Sequence, residues 1–216
     1  WMVGGGALFL LARRMSNIDG ALLATAYYLF LPYGVTHSRL FLPDLLMMPF
    51  IILGLLAAHI WTQERTWKWA ILAGILCGVA ILAKVFAVFF LFIPIALLVL
   101  SSRGLLASIR STQTWTVFGL MLAIPALHYF VLSEGTTAGG YIETWSLPFL
   151  RLLLDIHFYI SWFHKLGVFN LTLLVIGMGS LLLLQGKDRW MVLGLWAAYL
   201  AYGMSLAAPI RSHSYY

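Results

Sequence analysis

One short stretch of the sequence places charge between two apolar segments of a chain that otherwise uses little charge. Residues 37–44 read HSRLFLPD. An aspartate at the centre of a bilayer costs about 2.5 kcal/mol or more, so we expect Asp44 at the water interface or in a functional role. Pro43 suits the first turn of a helix, where its missing N–H is not needed. We therefore expect Asp44 at the mouth of a transmembrane helix, facing a polar cavity.

Asp44 has three chemical interpretations. Its carboxylate could be a general base for an acceptor hydroxyl or amine, or it could be a metal ligand. The alternative is a structural acid in the first helical turn, where it stabilises the helix dipole.

Two cations could accompany this acid. Lys84 lies between two long apolar runs with no acid beside it in the sequence, and an ammonium suits a lipid phosphate. The alternative is a snorkelling lysine that marks the interface. Arg39 could also bind a phosphate, pair with Asp44, or be an ordinary interface arginine.

The end of the sequence, residues 211–216, reads RSHSYY. His213, Tyr215 and Tyr216 could bind a sugar or a phosphate there, and the alternative is an ordinary aromatic belt.

His59 and His128 have no partner at metal-ligand spacing, and we interpret them as packing or interface residues. His157 and His164 are seven residues apart, roughly on one helical face, where a metal pair is a weaker alternative. The sequence predicts no metal site and requires no cofactor, although it leaves an assisting divalent metal open.

Composition identifies the class of protein. The 216 residues are 62% hydrophobic and 9% charged, with a mean hydropathy of +0.96, whereas soluble domains are about 25% charged. This is the composition of an integral membrane protein. The net charge of +6 is scattered over short loops, which argues against a nucleic-acid partner. Cys77 is the single cysteine, so no disulfide framework is expected.

The apolar segments predict an all-α bundle of about eight membrane spans in a single transmembrane domain over residues 1–216. Gly74 and Gly78 give the fourth span a small-xxx-small packing face. The predicted spans are residues 2–12, 18–35, 43–61, 69–83, 85–100, 115–132, 166–185 and 190–208.

Residues 133–165 form a longer loop between the sixth and seventh spans. Its part 145–165 is predicted to be an amphipathic helix in the membrane interface, with Arg151 and Asp155 paired on one face. The sequence starts at Trp1 without a methionine, and we expect it to be part of a longer protein.

Charge asymmetry predicts the orientation. Eight basic residues fall in four short loops on one side of the predicted spans, against five on the other, so the first side should be cytoplasmic. Asp44, Lys84, the 133–165 loop and the 209–216 tail then share the extracytoplasmic face. The expected location is a bacterial inner membrane or its equivalent. The eight residues are Arg13, Arg14, Arg65, Lys68, Arg103, Arg110, Lys187 and Arg189.

Three motifs in this order resemble a known family. They are S-R-x-x-x-P-D at residues 38–44, Lys84 after the next predicted span, and H-x-Y-Y at residues 213–216. The chain resembles polyprenyl-phosphate-sugar-dependent glycosyltransferases of the GT-C fold. The resemblance is strongest to the branch of protein O-mannosyltransferases, lipid A aminoarabinose transferases and glycosyltransferase-39-like proteins. It implies transfer of a sugar from a lipid phosphate to an extracytoplasmic acceptor, with inversion at the anomeric carbon.

The resemblance also implies roles for individual residues. Asp44 matches the acid of the second extracytoplasmic loop, Lys84 a position near the donor phosphate, and His213 and Tyr216 a loop lining the donor site. The family's main catalytic acid belongs to an earlier loop and is expected outside this sequence, so the chain alone should be catalytically incomplete. Lys84 is followed by Val-Phe where the family has Gly-Pro. The expected partners are the donor, membrane lipid and an unidentified acceptor.

Two other classes of protein fit the composition. A transporter or flippase should place its polar residues near the bilayer midplane on broken helices, and a non-catalytic membrane subunit needs no polar site. The charged residues here collect at one mouth of the predicted bundle, which favours the enzyme.

Overall fold

A computed structural model describes residues 1–31, 35, 43–132 and 154–205, and over these ranges the chain forms helices joined by short turns, without strands. The all-α prediction is confirmed for this part of the chain. The elements are α1 (Met2–Met15), α2 (Ile18–Phe30), α3 (Pro43–Glu64), α4 (Trp67–Ala83), α5 (Ala87–Arg103), α6 (Leu105–Arg110), α7 (Thr112–Ala126), a π-helical turn (Leu127–Leu132), α8 (Ile156–Leu183) and α9 (Gly186–Ser205).

Among the described residues, α3, with 22 residues, is the helix long and apolar enough to cross a membrane. Helices α2, α4 and α5 are apolar but shorter. The fourth predicted span, residues 69–83, coincides with the body of α4. The number of eight spans remains a prediction.

The structure differs from the sequence prediction after residue 154. Residues 156–183 form one continuous helix, α8, where the sequence predicts an interfacial helix followed by a separate span. The segment contains no proline to end a helix. The Asp155 carboxylate accepts a hydrogen bond of 2.9 Å from the His157 N–H, so Asp155 caps α8. Its predicted partner Arg151, like most of the 133–165 loop, lies outside the described residues.

Two further boundaries differ. The predicted loop after residue 100 contains the short helix α6. The predicted sixth span begins earlier, at Thr112, and changes from α-helical to π-helical geometry after Ala126, next to Pro125. Proline removes an intrahelical hydrogen bond, and π-helical turns are frequent at functional sites.

Small residues let the central helices approach one another closely. A methyl group added at Gly78 of α4 would lie 3.0 Å from the Leu120 carbonyl oxygen of α7, and one added at Gly54 of α3 would lie 2.7 Å from the Cys77 sulfur. On the other side of the bundle, Gly194 of α9 lies directly against Pro94 of α5. The predicted packing face on α4 is confirmed, and it places α4 between α3 and α7.

The bundle has two polar ends, which we name the Asp44 end and the Arg103 end. Asp44 begins α3, and His59 lies 15 residues further along the same helix, or about 22 Å at 1.5 Å per residue. The Arg103 end joins the last turns of α1, α3 and α5 to the first turns of α7 and α9. The described basic residues that take part, among them Arg14, Arg103 and Lys187, belong to the predicted cytoplasmic set.

A hydrogen bond between a buried histidine and an aspartate ties α3 to α9 at the Arg103 end. The His59 side chain is fully buried, and its Nε2 lies 2.8 Å from Oδ1 of Asp188, which is 20% exposed. Lys187 donates to the Thr62 hydroxyl at 3.3 Å. His59 is thus a packing residue, as expected, but with a partner 129 residues away in the sequence.

A second polar cluster at the same end surrounds Trp61. The Arg103 guanidinium lies 4.7 Å from the centroid of the buried Trp61 ring and donates to the Ser111 hydroxyl at 2.9 Å. Gln113 accepts from the Trp61 indole at 3.1 Å and donates to the Arg65 carbonyl at 2.9 Å. These contacts join α3, α5 and α7 by hydrogen bonds in addition to apolar packing.

Removing Asp188 should therefore destabilise the fold. Asp188→Ala leaves the buried His59 without its partner, and an unsatisfied buried group costs about 1–3 kcal/mol. We expect a lower thermal unfolding midpoint in detergent micelles for Asp188→Ala, and a smaller change for Asp188→Asn, which can still hydrogen-bond. Asp19→Ala, at an exposed position of α2, is the matched control. Equal midpoints for Asp188→Ala and Asp19→Ala would contradict the structural role.

Gly194→Ala should also lower the unfolding midpoint. The added methyl would overlap the backbone of Pro94, and overpacking typically costs about 1–3 kcal/mol. Gly119→Ala on α7 is the control, because its methyl would meet nothing within 4 Å. A mid-helix glycine is about 0.5–1 kcal/mol worse than alanine, so Gly119→Ala should raise the midpoint. If both variants raised it, the close approach of α5 and α9 would be refuted.

Candidate active site

The structure brings together two of the predicted site residues. Lys84 Nζ lies 2.7 Å from Oδ1 of Asp44, a hydrogen-bonded ion pair between residues 40 positions apart. The sequence places both on one face of the predicted bundle. Their direct contact was not predicted, because Lys84 has no acid beside it in the sequence.

The start of α3 determines the position of Asp44. Pro43 is the first residue of the helix and Asp44 stands in its first turn. A carboxylate there interacts favourably with the positive end of the helix dipole. The structural interpretation of Asp44 and a chemical role are therefore compatible in this geometry.

Lys84 sits where the chain leaves α4 and enters α5. Its backbone is extended, with φ −157° and ψ 119°, and its N–H bonds to the Ala80 carbonyl at 3.2 Å. Its own carbonyl accepts from the Ala87 N–H at 3.0 Å. Only residues 84–86 separate the two helices, so the predicted tight connection is confirmed although Gly-Pro is absent.

The pair is open to its surroundings. The Lys84 side chain is 32% exposed and the Asp44 side chain 39% exposed. Ion pairs this accessible contribute about 0–1 kcal/mol to stability, so the contact can exchange partners at little cost. The His59–Asp188 pair at the other end differs, because His59 is fully buried.

Aromatic residues adjoin Lys84 at the Asp44 end. Phe86, Phe89 and Phe90 of the connection and α5 pack around Tyr202 of α9, with ring centroids 5.4–6.2 Å apart. The Tyr129 hydroxyl donates to the Leu82 carbonyl at 3.1 Å, two residues before Lys84. These residues were not among the predicted site residues. The spacing of the three phenylalanines at i, i+3 and i+4 was the available signal for one helical face.

The other predicted site residues lie outside the described residues. These are Arg39, His213, Tyr215 and Tyr216. Within the described ranges, no group of three or more His, Cys, Asp or Glu side chains could hold a metal ion.

Comparison with known families identifies the chain. The model of the dolichyl-phosphate-mannose-protein mannosyltransferase family matches residues 1–129, more than half of the sequence, and the match includes both Asp44 and Lys84. No curated protein and no solved structure matches the chain. The family match favours the glycosyltransferase over a transporter or a non-catalytic subunit. The chain belongs to the dolichyl-phosphate-mannose-protein mannosyltransferase family, and it is a membrane glycosyltransferase of the GT-C type.

Proposed function

We propose that this protein transfers a sugar from a polyprenyl-phosphate donor to an acceptor outside the cytoplasm, with inversion at the anomeric carbon. The observation that carries the proposal is the Asp44–Lys84 pair, an open contact between an acid and a cation within the family-matched segment. The donor class follows the family. The acceptor is a protein, lipid or glycan that presents a hydroxyl or an amine.

Lys84 binds the donor phosphate in this proposal. The bond from the anomeric carbon to the phosphate oxygen breaks during transfer, and its electron pair leaves with the polyprenyl phosphate. The charge on the phosphate therefore grows as the reaction proceeds. An ammonium positioned beside it stabilises the transition state more than the bound donor, which is the requirement for catalysis.

Asp44 serves the acceptor side. The acceptor oxygen or nitrogen attacks the anomeric carbon from the face opposite the phosphate, and its proton passes to a carboxylate. One displacement inverts the configuration without a covalent enzyme intermediate. Asp44 acts beside the main catalytic acid that the resemblance implies in an earlier loop.

The ion pair connects donor binding to activation of the acceptor. Without donor, Lys84 and Asp44 neutralise each other at 2.7 Å. A bound phosphate competes for the Lys84 ammonium, and the weak pair opens. The Asp44 carboxylate is then available to an acceptor proton in the complex that holds the donor.

Arg39, His213, Tyr215 and Tyr216 complete the donor site in this proposal. Arg39 adds a second cation for the phosphate, and His213 and the tyrosine hydroxyls offer hydrogen bonds to the sugar or the phosphate. The positive-inside distribution supports an extracytoplasmic position of this site, in a single transmembrane domain. The membrane lipid surrounds the donor's prenyl chain.

The central prediction is that only the cation of the ion pair is needed for phosphate binding, so that removing Lys84 weakens binding and neutralising Asp44 does not. In the complete protein, Lys84→Ala should weaken binding of polyprenyl phosphate about 10-fold or more, since a hydrogen bond to a charged group contributes about 1.5–3 kcal/mol. Asp44→Asn should leave binding unchanged or tighten it up to about fivefold, because the competing contact costs about 0–1 kcal/mol to break. Titration calorimetry in detergent measures both constants.

Transfer activity should fall in both variants. Asp44→Asn removes one carboxylate from the acceptor side, and Lys84→Ala removes the charge at the leaving group, so each should slow transfer from polyprenyl-phosphate mannose about 100-fold or more. Lys68→Ala and Asp19→Asn change exposed residues outside the Asp44 end and should act like the unaltered protein. Retained transfer in both Asp44→Asn and Lys84→Ala would refute the site assignment.

A further inference from the structure

The Leu82 carbonyl takes part in a contact at the end of α4 that the proposed reaction does not use directly. The last carbonyls of a helix lack partners within the helix, and Leu82 lies in the final turn of α4. Its carbonyl accepts a hydrogen bond of 3.1 Å from the Tyr129 hydroxyl. A side chain from a separate element thus caps the end of α4, two residues before Lys84.

The π-helical turn presents Tyr129 at this point. Helix α7 approaches α4 at Gly74 and Gly78, where added methyl groups would lie 3.0 Å from the carbonyl oxygens of Val117 and Leu120. Beyond Pro125 the chain changes to the wider π-helical turn, and this turn carries Tyr129. The close packing of the two helices therefore continues directly into the hydrogen bond to Leu82.

The Tyr129 contact affects the position of Lys84. The Lys84 N–H donates to the Ala80 carbonyl, and the Lys84 carbonyl accepts from the Ala87 N–H, so its backbone is held on both sides. The Tyr129 contact fixes the Leu82 carbonyl, two residues before this extended residue, and so constrains the direction in which the chain leaves α4. That direction aims the Lys84 side chain at Asp44.

We infer that Tyr129 is a positioning residue for Lys84: its hydroxyl holds the end of α4 so that the ammonium lies at the donor phosphate. The inference rests on the proposed function for the identity of the ligand. The positioning of Lys84 by Tyr129 does not depend on the proposed function. Tyr129 acts through Leu82 and Lys84 and contacts no reacting atom in this account.

The first experiment reads the position of Lys84 without any donor. In the complete protein, Tyr129→Phe should raise the acylation rate of Lys84 by an acetyl N-hydroxysuccinimide ester several-fold, as measured by mass spectrometry, because the contact with Asp44 loosens. The rate at the exposed Lys68 should not change, and Tyr27→Phe, at an exposed position of α2, should change neither rate. An unchanged Lys84 rate in Tyr129→Phe overturns the inference.

The second experiment joins this position to the ligand. Tyr129→Phe should weaken polyprenyl phosphate binding several-fold, less than Lys84→Ala does, and should have no further effect in the Lys84→Ala background. Non-additivity of this kind indicates one shared interaction. Equal weakening by Tyr129→Phe in both backgrounds would overturn the inference and assign Tyr129 a general structural role.

The two experiments also distinguish the inference from the proposed function. If Tyr129→Phe accelerates acylation of Lys84 while Lys84→Ala leaves phosphate binding unchanged, Tyr129 positions Lys84 and the proposed phosphate role of Lys84 fails. If Lys84→Ala weakens binding and Tyr129→Phe changes neither readout, the proposed function stands and the inference fails.

Discussion

The close packing of α4 between α3 and α7 is the constraint on which the site depends. The faces where α4 meets these helices carry small side chains, namely glycines and Cys77. Helix packing in membranes depends on such small residues, because lipid supplies no hydrophobic force between helices. The approach of α3 sets Asp44 beside Lys84, and the approach of α7 sets Tyr129 beside Leu82. Both contacts follow from the position of one helix.

The polar contacts at the two ends of the bundle differ in burial and in their contribution to stability. At the Arg103 end, the His59 and Trp61 side chains are fully buried and each has a hydrogen-bond partner, so removing that partner costs stability. At the Asp44 end, an ion pair whose side chains are about one-third exposed contributes little to stability. A buried network at one end and an exchangeable contact at the other are consistent with the proposed site, at which Lys84 would bind and release a charged phosphate.

The sequence predicts the helical class and the sharing of one face by Asp44 and Lys84, because hydropathy and charge alternate along the chain in a regular way. The family was predicted from the resemblance of three motifs. The sequence does not predict which groups touch. The contacts Asp44–Lys84 and His59–Asp188 join residues 40 and 129 positions apart, and such pairings depend on packing between helices. The end of α7 was missed for a similar reason: the change to π-helical geometry beside Pro125 is a backbone adjustment with no periodic signal. From Ile156 onward, the last part of the predicted interfacial helix and the first part of the next predicted span belong to one helix, since no proline ends the helix there.

The central claim is that the Lys84 ammonium exchanges Asp44 for the donor phosphate. The most direct measurement is the dipolar coupling between ¹⁵N-labelled lysine Nζ and the ³¹P nucleus of bound polyprenyl phosphate, by solid-state magnetic resonance on the complete protein in lipid bilayers. We expect a dipolar coupling of the size that direct contact between the ammonium and the phosphate gives. This coupling should disappear in Lys84→Ala and persist in Asp44→Asn. A bound phosphate with the same coupling in Lys84→Ala would contradict the claim.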